Sequence, residues 1–326
     1  MSSWHKLKWP LIALAVALLF NAVFTTGFFN FTVRDGRLYG SVIDILNRAA
    51  PVMLLSLGMT LVIATGGVDL SVGAVMAITG AAAALLLTRV CHHAWVVTAI
   101  SLGIALATGI WNGLLVGVFK VSPIVATLIL MVSGRGIAQL FTDGQIITFE
   151  NKSFEFIGRG ALAGLPFTLT LVLVVWLALT LLKSRTALGL FIECTGDNET
   201  ASRYSGVNTN LVKLVVYSTC SFCAGIAGLI ATTDIKAADA NNAGLWLELD
   251  AILATVIGGT ALTGGRFYLA GSLIGAILIQ TLTTMILTRG VAVELTLVVK
   301  AVVVILVCLL QSEKFRAAVW KRKAAV

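Results

Sequence analysis

Polar side chains lie inside or beside long apolar segments at several points of this sequence. They are Asp69, Asn112, Gln139, Asp250 and Gln280. Ionisable and amide groups are costly in lipid, and they commonly contact a transported solute or pair with another polar group. These residues therefore predict a polar pathway across a membrane. For Asp69 an alternative stays open, because a carboxylate there could also cap a helix that begins at Ser71.

No motif of the sequence indicates catalysis. Neither Gly-x-Ser-x-Gly nor His-Glu-x-x-His occurs, and His5, His92 and His93 lie at the ends of apolar segments. The sequence also has no Gly-Lys dipeptide, and so no P-loop in its usual form. If ATP drives this protein, another chain must bind the nucleotide.

The cysteines give weaker signals. Cys91 stands next to His92 and His93, where a solvated loop is favoured over a metal site because adjacent residues rarely converge on one ion. Cys220 and Cys223 form a C-x-x-C within an apolar segment, and we interpret them as small buried core residues and not as a redox pair.

Two glycine-rich octets interrupt apolar runs in a similar way. They read GGVDLSVG from Gly66 and GGTALTGG from Gly258. In a membrane such interruptions are tolerated where the backbone is packed in protein or lines a wet cavity, as in the broken helices of transporters. Both octets fall at predicted cytoplasmic ends of spans, and they predict related turns of a duplicated scaffold. The alternative is that the glycines only permit close packing of helices.

The elements that must position these residues are membrane-spanning helices. Of the 326 residues 58% are hydrophobic and 12% are charged, against about 25% charged in a soluble domain, and the mean hydropathy is +0.99. We predict one all-α polytopic membrane domain over residues 1–326, with about ten transmembrane helices and glycine-broken segments. The apolar segments are 10–24, 49–65, 68–88, 94–118, 122–141, 165–182, 211–232, 247–262, 268–287 and 293–311.

The net charge of +8 is distributed as expected at a membrane, because basic residues flank the first and last apolar segments. This placement argues against nucleic-acid binding. The surplus of Lys and Arg at both ends and in alternate loops predicts that both termini are cytoplasmic. The first segment lacks a cleavage site and is interpreted as a retained anchor. Arg135, inside an apolar segment, is expected to pair with a carboxylate or to face water.

The longest loop on the predicted cytoplasmic side spans residues 183–210. Within it, Asp197 or Asn198 can cap a helix, and Glu199 and Arg203 suit the two ends of the helix dipole. Gly206 can adopt the left-handed conformation that ends a helix. These signals predict a two-turn helix across the membrane face, with an ordinary surface loop as the alternative.

The loop sequence TALGLFIECTGDNETASRYSGVNT resembles the cytoplasmic coupling segment of ABC-type sugar importer permeases of the ribose, xylose and galactoside group. The positions that match the pattern of this segment are Gly196, Asn198, Ala201, Ser202, Gly206, Val207 and Asn208. The resemblance implies that the ATPase is contacted by Gly196, Asp197, Asn198, Glu199, Ala201, Ser202, Arg203, Gly206 and Asn208. Ser202 departs from the more usual alanine. The segments GMTLVIATGGVDLSVGAVMAITGA and LELDAILATVIGGTALTGGRFYLAGSLIGAIL resemble the other two signatures of this group, so the similarity covers nearly the whole chain.

Within that group, the segments DGRLYGSVIDILNRAAP, TDGQIITF and ADANNAGLWLELDAILA resemble permeases of galactofuranose importers. The resemblance implies an ABC importer permease fold in the bacterial inner membrane. It also implies a periplasmic sugar-binding protein, an ATPase subunit that holds ATP and Mg, and a second, different permease chain in a heterodimer. No cofactor, metal or catalytic residue is expected on this chain.

The resemblance implies that this chain forms part of the sugar pathway. Candidate pathway residues are Asn47, Gly66, Gly67, Asp69, Ser71, Asn112, Asp250, Gly258 and Gly259, with Trp111 or Trp246 as an apolar face for a sugar. Two other functions stay open. One is an ion-coupled secondary sugar transporter that uses Asp69 and Asp250, and the other is an intramembrane enzyme acting on lipid-linked sugar.

Overall fold

The chain forms a bundle of long helices. The computed structural model describes residues 3–25, 27–34, 37–290, 295, 298–302, 305–306 and 309. In this part of the chain the helices are α1 Ser3–Phe24, α2 Ser41–Ala64, α3 Val72–Arg89, α4 Ala94–Gly117, α5 Pro123–Thr142, α6 Lys152–Arg159, α7 Phe167–Arg185, α8 Ala187–Asp197, α9 Glu199–Tyr204, α10 Thr209–Ile235, α11 Leu247–Ile257 and α12 Leu269–Thr288.

Eight of these helices are long and apolar enough to cross a membrane, namely α1, α2, α3, α4, α5, α7, α10 and α12. They correspond to eight of the ten apolar segments in the sequence. The prediction of an all-α, multi-pass membrane protein is therefore confirmed.

The segment 247–262 differs from its prediction as a full span. Only α11 forms there, and its 11 residues extend about 16 Å, roughly half of the hydrocarbon thickness. The helix begins after Trp246, whose φ is 65°, and is followed by Gly259, whose φ is 91°. Left-handed residues at both ends prevent the helix from continuing.

The last predicted span, 293–311, lies mostly outside the described residues. Residues 295, 298–302, 305–306 and 309 of it are helical. The basic residues that follow it also lie outside the described residues. They are Lys314, Arg316, Lys321, Arg322 and Lys323.

Helix α10 runs through the core, and glycines let its neighbours approach its backbone. On α4, a Cβ added at Gly109 would lie 2.7 Å from the Cα of Ser218, and one at Gly113 would lie 2.8 Å from the Cα of Leu214. This Gly-x-x-x-Gly spacing allows close contact between membrane helices. Cys220 and Cys223 on α10 are fully buried, as interpreted from the sequence.

Three short antiparallel strand pairs accompany α6 at one end of the bundle. They are β1 Thr32–Arg34 with β2 Arg37–Tyr39, β3 Ile147–Thr148 with β6 Ala237–Ala238, and β4 Ala161–Leu162 with β5 Leu165–Pro166. Helices α8 and α9 lie at the other end, because α7 and α10 each run the length of the bundle between the two sets of elements. The candidate functional residues fall at both ends.

Candidate functional site

The loop that joins α7 to α10 folds into two helices, α8 and α9. The side chain of Asn198 accepts a hydrogen bond from the Ala201 N–H at 2.9 Å, and Gly206 has a φ of 86°. The two-turn helix predicted from local signals is therefore present as α9, and its cap is Asn198 and not Asp197. Helix α8 was not predicted, although the apolar residues of ALGLFIECTG, among them the fully buried Ile192, could have indicated it.

Glu199 connects α9 to two other parts of the bundle. Its carboxylate lies 3.5 Å from Lys120 in the loop between α4 and α5, 2.5 Å from Arg203 on α9, and 2.6 Å from Lys213 on α10. Burial acts to raise the pKa of Glu199, but the hydrogen bonds and charges of Lys213, Arg203 and Lys120 outweigh it and lower the pKa to about 2. Glu199 thus stays ionised and attaches the helix to the bundle.

This network should stabilise the protein in a pH-dependent way. Because the pKa of Glu199 is lowered from 4.5 to about 2 on folding, its contribution is complete above pH 4.5 and is lost as the pH falls toward 2. We expect Glu199→Gln to lower the free energy of unfolding by about 1 kcal/mol at pH 7, and the difference from the wild type to vanish near pH 2. Thermal unfolding of the purified chain in detergent measures this difference.

Glu193→Gln is the matched control. Glu193 lies on α8 and forms one ion pair, with Lys183 at 3.2 Å. The smaller network predicts a smaller effect at pH 7. A difference for Glu199→Gln that stays constant down to pH 2 would contradict the role of the ionised carboxylate.

The two glycine octets meet the end of α8 at one point. The Gly265 N–H donates to the carbonyl oxygen of Ala64 at 2.9 Å. A Cβ at Gly196 would collide with that same oxygen and lie 2.5 Å from the Gly265 nitrogen, and a Cβ at Gly264 would lie 3.0 Å from the nitrogen of Gly66. We call this contact of residues 64–66, 196 and 264–265 the glycine junction. It joins α8 to the connections that follow α2 and α11.

Both predicted roles of the octets, turn and close packing, are present in the structure. The positive φ of Gly66 and of Gly259 marks a turn between two helices in each octet. Gly258 also packs against α12, where its Cβ would lie 2.5 Å from the Ser272 nitrogen. Gly67 faces the fully buried ring of Tyr217.

Asp69, Ser71 and Asn112 form a buried hydrogen-bonded group beside the first octet. Asp69 Oδ1 accepts from the Ser71 N–H at 2.9 Å and from the Ser71 hydroxyl at 2.6 Å, and the Asn112 amide donates to that hydroxyl at 2.9 Å. All three residues have no exposed surface. Ser71 is the N-cap of α3, and no side chain of the described residues caps this helix by a hydrogen bond, so Asp69 binds the cap residue and is not itself the cap. A solute could reach the group only if the helices moved.

Asp250 is paired within the bundle. Its carboxylate lies 2.8 Å from the Lys300 ammonium, and the two side chains are 13% and 11% exposed. Lys300 was missed as a candidate, although a single lysine in the apolar segment 293–311 could have indicated a buried partner. The Asp250 carboxylate is therefore not free to bind a sugar hydroxyl.

The Asp250–Lys300 pair gives a prediction about stability. Asp250→Leu leaves the Lys300 charge without its partner, and we expect it to lower the free energy of unfolding by roughly 2 kcal/mol. The loss is smaller than for a fully buried pair, because both side chains are partly exposed. The double variant Asp250→Leu with Lys300→Met should recover most of the loss, since no charge remains to be desolvated. Unfolding in detergent measures both. A double variant less stable than the single one would contradict this prediction.

The sequence predicts that Arg135 pairs with a carboxylate or faces water, and its hydrogen-bond partners among the described residues are backbone carbonyl groups. Its guanidinium donates to the carbonyl oxygens of Ala240 at 3.1 Å and Ala243 at 2.6 Å. Glu248, which is buried, and Asp239 lie near enough to interact with it electrostatically. Arg135 thus fixes the chain between β6 and α11 against α5. Glu248 was missed from the sequence.

One of the remaining candidates, Asn47, is separated from the glycine junction. Asn47 lies at the opposite end of the bundle, where its Oδ1 accepts from the Thr168 hydroxyl at 2.5 Å. Trp111 and Trp246 are each 53% exposed. The structure therefore divides the predicted pathway into a group near α8 and α9 and a group near the strand pairs.

Comparison with known proteins identifies relatives over nearly the full chain. Residues 41–308 match a family described as the permease component of the branched-chain amino acid transport system. The chain is 50% identical to the galactofuranose transporter permease protein of Escherichia coli strain K12, over 95% of this chain and 92% of the relative.

Two further relatives are named for other sugars. The chain is 38% identical to a fructose import permease protein of Bifidobacterium longum, over 98% of this chain and 92% of that protein. It is 35% identical to the ribose import permease protein of Escherichia coli strain K12, over 96% of this chain and 95% of that protein. The resemblance to sugar importer permeases is confirmed.

Proposed function

The chain belongs to the family of permease components of the branched-chain amino acid transport system, and we propose that it is the membrane-spanning permease subunit of an ATP-driven galactofuranose importer. One observation carries the choice of sugar. Identity to the galactofuranose permease is 50%, against 38% and 35% for the fructose and ribose permeases over similar coverage.

The proposed importer has four kinds of subunit. This chain stands beside a second, different permease chain in the bacterial inner membrane, with both termini in the cytoplasm. An ATPase subunit binds ATP and Mg on the cytoplasmic side, at the α8–α9 end. A periplasmic binding protein delivers the sugar at the end that carries the strand pairs.

The contacts of α8 and α9 support a role in coupling. Movement of α9 is transmitted through Glu199 to Lys120 and Lys213, and movement of α8 is transmitted through the glycine junction to the connections after α2 and α11. A displacement by the ATPase therefore reaches several helices at once. Switching the pathway from mostly inward to mostly outward needs about 5.5 kcal/mol of differential binding, which ATP and the loaded binding protein supply together.

Reconstitution tests this function. The four proteins are placed in proteoliposomes, and uptake of labelled galactose, whose solutions contain the furanose form, is compared with uptake of labelled ribose and fructose. We expect uptake that requires ATP and the binding protein and that favours galactose. Uptake by this chain alone, driven by a proton gradient, would contradict the proposal, as would a reaction product formed from a lipid-linked sugar.

A further inference from the structure

A cavity with two lobes opens at the end of the bundle opposite α8 and α9. Each lobe has a volume of about 320 Å³, and both are lined by Asn47 of α2, Gly158 of α6 and Asp234 of α10. Pockets that bind small molecules have volumes of about 300–1,000 Å³. Either lobe is therefore large enough for a small ligand.

Several polar side chains of the cavity have free hydrogen-bonding capacity. The Oδ1 of Asn47 accepts from Thr168, which leaves the Asn47 amide N–H groups as donors that face no acceptor among the described residues. Asp234 and Arg48, which also line the first lobe, form no ion pair or hydrogen bond in the part of the chain that the structure describes. A carboxylate, an amide and a guanidinium can together bind adjacent hydroxyl groups.

The charges of the cavity balance each other. The arginines that line the two lobes are Arg37, Arg48 and Arg159, and the aspartates are Asp44, Asp234 and Asp239. A site for a phosphate or a carboxylate would show an excess of positive charge. The balance favours an uncharged ligand with many hydroxyl groups.

An aromatic ring completes the site. Tyr39 lines the second lobe and is 44% exposed, so its face is available to the C–H groups of a ligand. Aromatic side chains combined with a few placed polar groups are typical of small-molecule pockets.

One wall of the first lobe is formed by the segment between β6 and α11, to which Arg135 is hydrogen-bonded. Asp239, Asn242 and Ala243 line this lobe, and Arg135 donates to the carbonyl oxygen of Ala243 at 2.6 Å. The Asp239 carboxylate accepts from the backbone of Asn241 and Asn242 at 3.0 and 3.1 Å. This wall is therefore fixed in place before a ligand arrives, and it leads toward α11 inside the bundle.

We propose that this cavity is a binding site for a neutral monosaccharide, with Asn47, Arg48 and Asp234 as hydrogen-bonding residues and Tyr39 as the apolar face. The proposal rests on the function in sugar import. In the importer the site receives the sugar from the binding protein before the sugar enters the bundle. Its ligand class follows from the balanced charge and the size of the lobes.

Direct binding is the first test. The permease pair is purified in detergent without the binding protein, and binding of labelled galactose, ribose and fructose is measured by equilibrium dialysis. We expect saturable binding of at least one sugar, weakened about tenfold or more by Asp234→Asn, the loss typical of one charge-assisted hydrogen bond, and weakened less by Asn47→Ala, which removes a neutral hydrogen bond. Galactose 1-phosphate should not compete.

Asp143→Asn is the matched control, because Asp143 is an exposed carboxylate at the same end of the bundle that pairs with Arg89 at 3.1 Å. It should bind sugar as the wild type does. Equal binding by the wild type, Asp234→Asn and Asn47→Ala would overturn the site, as would a complete lack of sugar binding or strong competition by galactose 1-phosphate.

Transport separates this inference from the function on which it rests. In the reconstituted importer, Asp234→Asn should raise the sugar concentration for half-maximal uptake, and the control Asp143→Asn should not. Normal galactose uptake by every variant would contradict the proposed sugar site and would leave the proposed importer function standing. If the wild type transported only ribose or fructose, the choice of galactofuranose would fail, and the same variants would test the site with that sugar.

Discussion

Replacing Gly109 by leucine should prevent the folded protein from accumulating. A Cβ at Gly109 would lie 2.7 Å from the Cα of Ser218 and 2.8 Å from the carbonyl oxygen of Tyr217, so α4 could accept the side chain only by moving away from α10. Backbone atoms cannot rotate aside as a side chain can. We expect the free energy of unfolding to fall by more than about 4 kcal/mol, a value typical of severe core disruption. Unfolding in detergent measures this loss, and failure to recover monodisperse protein would also indicate it.

Gly103→Leu is the control on the same helix. Nothing lies within 4 Å of a Cβ at Gly103, and the residue is exposed. The same substitution there should change the free energy of unfolding by less than about 1 kcal/mol. Equal stability of the two variants would contradict the close approach of α4 to α10 at Gly109.

The second large effect is expected from Gly196→Ala at the glycine junction. The added methyl group would occupy the space of the Ala64 carbonyl oxygen and of the Gly265 nitrogen, which are hydrogen-bonded to each other at 2.9 Å. Because α8 could then no longer pack against both octets, a displacement of α8 by the ATPase would not be transmitted to α2 and α11. We expect sugar-stimulated ATP hydrolysis and uptake to fall at least about tenfold, a loss of coupling within the range of such variants.

Gly136→Ala on α5 tests the same change where space is open, since nothing lies within 4 Å of its Cβ. It should transport as the wild type does. Both variants are first compared for insertion and for monodispersity in detergent. Normal sugar-stimulated hydrolysis in a well-folded Gly196→Ala variant would show that the junction does not transmit movement.

Much of the fold follows from the length of the apolar runs. A run of about 20 apolar residues has few alternatives to a spanning helix in lipid, and eight predicted spans are present. The run 247–262 was interpreted as a full span because hydropathy does not register backbone conformation. The left-handed Trp246 and Gly259 limit it to a helix of 11 residues.

Local signals also predicted α9 and its end at Gly206, because these residues act within a few residues of themselves. They left the cap open between Asp197 and Asn198, and the structure has Asn198 there. Contacts between distant residues could not be predicted in this way. The partners of Arg135 are carbonyl groups more than 100 residues away, and Asp250 pairs with Lys300, 50 residues away. Asn47 was a candidate by type alone, and only the fold shows that it shares a cavity with Asp234.

A photocrosslinking measurement tests the coupling role of α8 and α9 most directly. Tyr204, which is 89% exposed on α9, and Leu162, which is 52% exposed at the opposite end, are each replaced by a photoreactive phenylalanine derivative in the assembled importer. Illumination should join position 204, and not position 162, to the ATPase subunit. A covalent product between position 204 and the periplasmic binding protein, or one between position 162 and the ATPase, would contradict the account.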